Sequence, residues 1–137
     1  MWKLYAILSA LFAAFTAILA KLGVKGVNGN IATAIRTIVI LLLAWSIVLF
    51  NGKLKEVKDL SRNNILFLVL SGIATGLSWI FYFKALQTGN VSKVAPIDKL
   101  SVAFAIILSF LLLHEPADWK TIIGGLLIVA GSIIIIL

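Results

Sequence analysis

Five apolar runs, residues 4–20, 31–50, 65–83, 94–113 and 119–137, take up most of this 137-residue chain. Each approaches the ~20 residues that cross a hydrocarbon layer ~30 Å thick. Hydrocarbon offers backbone N–H and C=O groups no partners, so only helices and closed barrels can span it. Runs this long without period-two alternation predict helices. The expected fold is therefore all-α: a polytopic membrane protein of five transmembrane helices forming one domain over residues 1–137. Composition agrees, with 62% hydrophobic and 12% charged residues against about 45–50% and about 25% in soluble domains. Lys3 before an alanine-rich first run resembles the start of a signal peptide. The run is long for that, lacks a small-x-small cleavage site and is followed at once by Lys21, which favours a retained span.

The connectors, 21–30, 51–64, 84–93 and 114–118, are rich in glycine, asparagine and lysine. Pro96 near the start of the fourth run and Pro116 beyond its end read as helix punctuation, and Asp118 as the N-cap of a helix starting at Trp119. The net charge of +7 would suggest nucleic acid in a soluble protein. Here the basic residues lie mainly at span ends, where topology and lipid headgroups account for them, so no nucleic-acid partner is expected. Cysteine is absent, which rules out disulfides and thiolate metal sites, and His114 is the single histidine. No nucleophile–base pairing and no phosphate-binding loop stands out. The chain is not expected to be an enzyme or to carry a cofactor or metal.

Charges inside the runs point to function. Asp98 and Lys99 sit side by side in the fourth run, Arg36 in the second, Lys84 at the end of the third and Lys21 at the end of the first. A charge at the bilayer centre costs roughly 2.5–3.5 kcal/mol on insertion scales, so it persists mostly where it faces a bundle interior or wet cavity. Helical spacing then collects polar or small residues on faces: Ser71, Thr75, Ser78, Trp79 and Tyr82 on the third helix, and Asp98, Ser101, Ala105 and Ser109 on the fourth. Thr33, Arg36 and Thr37 do so on the second, and Ser9, Ala13, Thr16 and Ala20 on the first. Two readings are open: the faces line one solute path, or the hydroxyls bond back to their own helices and the small residues allow close packing. Gly72 and Gly76 are a small-xxx-small pair of the packing kind. Gly124 and Gly131, seven apart on a bulky last helix, form a flat strip suited to packing against a second subunit.

Two stretches resemble the EamA-type repeat of the drug/metabolite transporter superfamily. They are Trp79-Ile-Phe-Tyr-Phe-Lys-Ala-Leu-Gln-Thr-Gly89 with Ser92-Lys-Val-Ala-Pro96, and the helix exit Leu113-His-Glu-Pro116. The last helix, Ile122-Ile-Gly-Gly-Leu-Leu-Ile-Val-Ala-Gly131, is similar to the final helix of that repeat and to the dimerising helix of small multidrug resistance proteins. Carriers of this kind hold two oppositely oriented five-helix repeats. The resemblance therefore implies one half of a ten-helix inverted-repeat transporter, like the small five-span bacterial and archaeal group. It implies an antiparallel homodimer, or a heterodimer with a related small protein, in the inner membrane. Small multidrug exporters bind cations through a carboxylate in the first helix; the first two runs here contain none, and the second carries Arg36. The inner charges instead suit a carboxylate-bearing or zwitterionic metabolite.

The expected activity is alternating-access transport of a small polar metabolite, surrounded by lipid, with Asp98 coupling it to protons. Lys99, Arg36, Lys84, Ser101, Thr75, Trp79 and Tyr82 complete the expected path. Rival readings are a non-transporting assembly subunit, in which the charges are intersubunit salt bridges, and half of a lipid-linked sugar flippase.

The side holding the N-terminus collects Lys3, Lys53, Lys55, Lys58, Arg62 and Lys120, and the other Lys21, Lys25, Lys84 and Lys93. Orientation follows the lysine and arginine bias of short loops, and six against four is a weak bias. C-terminal reporter fusions should therefore place the tail on both sides of the membrane, and two lysines added after Leu137 should hold it inside. A functional, partnerless chain with its tail on one side only would contradict antiparallel pairing.

Overall fold

A computed structural model describes residues 1–116 and 118–137. Among these the chain is all-helical, with no strand: α1 Trp2–Gly23, α2 Gly29–Phe50, a 3-10 helix Lys53–Asp59, α3 Arg62–Thr88, α4 Val91–Asp98, α5 Leu100–Leu112 and α6 Trp119–Ile136. Taken together, Val91–Leu112 forms the fourth of five helical segments long and apolar enough to cross a membrane. Little of any span is covered by the rest of the chain, 11% at most. That suits helices whose surroundings are hydrocarbon, where backbone groups are satisfied within each helix and apolar side chains can face outward.

The ends of the elements follow from local chemistry. Beyond α1 the chain turns through Gly26 in the left-handed region (φ 72°), a conformation that disfavours a Cβ. Asn28 then caps α2, its side chain accepting from the Asn30 N–H at 2.9 Å. Ser61 serves α3 likewise, accepting from the Asn64 N–H at 3.1 Å. The third helix starts before residue 65 and continues past residue 83 to Thr88, so Lys84 is helical and only Gly89 and Asn90 separate α3 from α4. At 27 residues and about 1.5 Å per residue, α3 is roughly 40 Å long, more than the hydrocarbon layer requires. Polar residues at both ends hid this overrun from an apolar-run reading. α5 stops where His114 turns left-handed (φ 54°) and brings the Glu115 N–H back to the Ser109 carbonyl at 3.3 Å. Asp118 occupies the N-cap of α6 as expected, but its side chain makes no capping hydrogen bond. Residue 117 of that connector lies outside the described residues.

The chain divides into two compact units, one of Met1–Ile18 with Thr88–Leu137, the other of Leu19–Gln87. In the first, α6 packs on both α4 and α5. Its buried residues are Gly125 and Ser132, seven apart and so on one face. A Cβ on Gly125 would lie 3.1 Å from Ile106 Cδ1, whereas Cβ atoms on Gly124 or Gly131 would meet nothing within 4 Å. The strip of Gly124 and Gly131 is thus not the face α6 uses inside this chain. That face lies one residue further on, about 100° around the helix. Gly72 and Gly76 likewise have open space within their unit where a Cβ would stand.

The second unit is closed at one end by two side-chain clasps. Lys21 at the end of α1 donates to the Leu86 carbonyl, one of the carbonyls in the last turn of α3 that its own helix leaves unpaired. Gln87 Nε2 donates back to the Val27 carbonyl at 2.6 Å. The same Gln87 side chain lies against Gly29, where an added Cβ would be 3.2 Å from Oε1. Val24, Phe83 and Leu86 are buried beside these contacts.

Gly125→Leu should lower thermal stability markedly, since overpacking costs about 1–3 kcal/mol and Ile106 must move. Gly124→Leu should leave the melting temperature of the detergent-solubilised monomer nearly unchanged. Equal effects of the two changes would place the packing face elsewhere.

Candidate functional site

The charged residues singled out from the sequence fall into two clusters, one in each unit. In the Leu19–Gln87 unit, Arg36 projects from α2 onto α3. Its guanidinium carbon lies over the Trp79 ring, 4.2 Å from the centroid, and 5.5 Å from the centre of Phe83. Trp79 and Phe83 are four apart on α3 and therefore share a face. Tyr82 meets Phe83 edge-on, with ring centres 6.5 Å apart at 83°. The attraction of a cation to a ring face is worth about 0.5–1 kcal/mol in water and about 2 or more when desolvated. Guanidinium is also the less strongly hydrated of the two basic head groups, which suits it to such a place. Among the described residues Arg36 forms no hydrogen bond and no ion pair.

Towards the clasped end of the same unit is a cavity of about 240 Å³ lined by Lys21, Lys25, Gly26, Val27, Leu86 and Gln87 among others. Lys84 lies outside the Arg36 cluster. It is exposed, its ammonium 6.0 Å from the centre of the Phe81 ring. Thr75 donates to the Ser71 carbonyl at 2.9 Å, Thr33 to Gly29 at 2.8 Å and Thr37 to Thr33 at 2.8 Å. These hydroxyls bond back to their own helices, the second of the two readings open to them.

In the other unit the fourth span is interrupted at Lys99, directly after Asp98, the last residue of α4. Pro96 has no N–H to give to the carbonyl one turn back, and such a residue kinks or breaks a helix. The Lys99 N–H bonds to the Pro96 carbonyl at 3.1 Å and the Val102 N–H to the Lys99 carbonyl at 3.0 Å. These i→i+3 contacts tighten the backbone where α4 gives way to α5. From α6, the Ser132 hydroxyl reaches the Pro96 carbonyl at 3.0 Å while also lying 2.8 Å from the Ile128 carbonyl of its own helix. Asp98 Oδ2 and Lys99 Nζ are 3.7 Å apart. Lys99 occupies both the C-cap of α4 and the N-cap of α5. The Lys99 ammonium suits the C-terminal end of α4 and the Asp98 carboxylate the N-terminal end of α5, but each opposes the other adjoining dipole, so the helix ends do not on balance favour the pair. Ser101, three residues after Asp98, is exposed and makes no hydrogen bond among the described residues.

The structure thus brings Arg36, Trp79 and Tyr82 into one cluster and Asp98 with Lys99 into another, while Lys84, Thr75 and Ser101 join neither through a contact described above. Sequence reasoning missed Phe83, Gln87, Gly125 and Ser132. Phe83 was recoverable as the residue four beyond Trp79. Ser132 was recoverable as the hydroxyl seven beyond Gly125.

The model of the EamA-like transporter family matches residues 1–137. A Sinorhizobium sp. protein named "Uncharacterized transporter in cobO 3'region" is 42% identical over 134 residues, covering 98% of this chain and 95% of its own length. No solved structure matches. With a match over the whole length and five apolar helices able to cross a membrane, the chain belongs to the EamA-like transporter family and is a multi-pass membrane transporter.

Proposed function

We propose that this chain is a secondary transporter of a small polar metabolite. In this reading residues 1–137 form one five-helix repeat, and two oppositely inserted copies make an alternating-access carrier in the inner membrane. The observation that carries the reading is the interrupted fourth span, with its Asp98–Lys99 ion pair at 3.7 Å. Spans disturbed by proline beside ionisable residues recur in transporter sites, because backbone and side-chain groups there can meet polar solutes at membrane depth. Asp98 is the proton-coupling residue, and Lys99 is its counter-charge when the site is empty. The Ser132 hydroxyl, hydrogen-bonded to the Pro96 carbonyl, ties the break to α6. Motion of α6 against a neighbour is thereby linked to the geometry around Asp98.

The pair is not enclosed by the chain, with side-chain exposures of 38% for Asp98 and 54% for Lys99. A coupling carboxylate faces the wet path of a carrier, where a neutral amide in its place is tolerated. Asp98→Asn should therefore insert and melt nearly as wild type while losing proton movement. Proteoliposomes containing a pH-sensitive dye, challenged with amino acids, carboxylic acids and amines, read this directly. A dye response surviving in Asp98→Asn, or full transport by Asp98→Asn with Lys99→Gln, would sink the coupling role and favour an assembly subunit in which nothing moves.

The open space at Gly124 and Gly131 supports a partner helix on that side of α6, since membrane helices associate through close van der Waals contact at small residues. Gly131→Leu should reduce crosslinked dimer and abolish transport without reducing insertion. Gly131→Ala should be milder, and Ile134→Leu should change little. Normal dimerisation of Gly131→Leu would move the seam away from this face.

A further inference from the structure

Arg36 is a cation in a spanning helix and, among the described residues of its unit, makes no hydrogen bond and no ion pair, its polar neighbour being Tyr82. It lies seven residues into α2, roughly 10 Å from the start of that helix, and is half-buried. α2 and α3 contain no Asp or Glu, so no counter-charge comes from either helix of the cluster. The aromatic contacts do not fill that role. Trp79 and Phe83 offer ring faces to the cation, whereas the N–H groups of a guanidinium point outward in its plane, as a fork shaped for a planar oxyanion. A stacked ring also holds the fork in place, which reduces the ordering cost of binding.

The surroundings in the same unit carry the same sign. The cavity lined by Lys21 and Lys25 sits at the Gln87 end of α3, roughly 12 Å along the helix from Trp79. No acidic side chain lines it. Basic groups with no acid among them raise the local concentration of anions.

We propose that Arg36 is the recognition residue for an oxyanion, the carboxylate of the transported solute, held edge-on by the guanidinium while Trp79 supports its face. This rests on the transport reading for its biological sense and deepens it by naming the substrate class. Organic anions are favoured, and cations are excluded by Arg36 with no acid beside it. A lipid phosphate would offer related chemistry, so the two sources must be separated by experiment.

The contact with Trp79 provides the probe. In full-length protein carrying Trp2→Phe, Trp45→Phe and Trp119→Phe, emission comes from Trp79 alone. The protein, in phosphate-free maltoside micelles at constant ionic strength, is titrated with acetate and acetamide, then with benzoate, benzamide and benzylammonium, solutes of matched shape and different charge. Both carboxylates should shift Trp79 emission saturably, the amides should need at least about tenfold higher concentration, and benzylammonium should do nothing. Arg36→Lys should weaken benzoate about tenfold, because lysine presents a point charge without the fork. Arg36→Gln should lose the response at an unchanged melting temperature. Should Arg36→Gln fail to fold, the lysine variant still decides the matter.

The proposal is overturned by equal binding of benzoate and benzamide, by full benzoate binding in either Arg36 variant, or by no response to any carboxylate. It is equally overturned if phosphatidylglycerol alone shifts Trp79 emission, which would make the cluster a lipid site. Proton movement governed by Asp98 is measured separately. Anion binding without it leaves Arg36 standing and removes transport, and transport of neutral solutes unaffected by Arg36→Gln does the reverse.

Discussion

Hydrocarbon cannot solvate a charge or a free backbone dipole, and the organisation of this chain follows from that. Each span is helical because only a helix satisfies its own backbone within one segment. Each charge within a span needs a partner, a route to water or a ligand. Lys99 has Asp98 at 3.7 Å, and Lys21 has the carbonyl of Leu86. Arg36 is the exception, supported by two aromatic rings and making no ion pair among the described residues of its unit. Lys99 and Lys21 thus meet oxygen atoms, whereas Arg36 meets the faces of aromatic rings.

The two units solve the problem of helix ends in different ways. In the Leu19–Gln87 unit, side chains cross between helix ends: Lys21 serves a last-turn carbonyl of α3, and Gln87 serves the connector before α2. Such contacts anchor the outer end of the α2–α3 pair while the middle of that pair remains lightly packed around Arg36. In the other unit the problem lies inside a span. Pro96 removes a donor, the backbone tightens at Lys99, and a hydroxyl from α6 reaches the carbonyl of Pro96. The carbonyl that proline deprives of a donor is that of Ser92, one turn back, so the Ser132 contact is an added tie between α6 and the Pro96 turn rather than a replacement for the lost bond. It also makes the geometry at Asp98 depend on how α6 sits.

The glycines of α6 show how a single residue step divides labour on a helix. Gly125 lets Ile106 approach closely inside the chain, while Gly124 and Gly131 leave their side of α6 open. An otherwise bulky helix of leucine and isoleucine thus carries two small-residue faces. One is used within its own unit, and the other is open there.

Much of the architecture was legible from residues alone. The number and approximate place of the spans follow from transfer to hydrocarbon, which depends on the composition of each segment and little on what it touches. The unusual charges were visible for the same reason: Asp98, Lys99 and Arg36 stand out against their runs whatever the tertiary arrangement. The glycine of α6 that packs against α5, the ring that joins Trp79 beside Arg36, and the helix that receives the Pro96 carbonyl were settled only by tertiary structure. Helices that are apolar all round carry little amphipathic signal to say which side meets a neighbour. That choice rests on close contact between particular side chains, Ile106 with Gly125 and Arg36 with Trp79, which no single segment encodes.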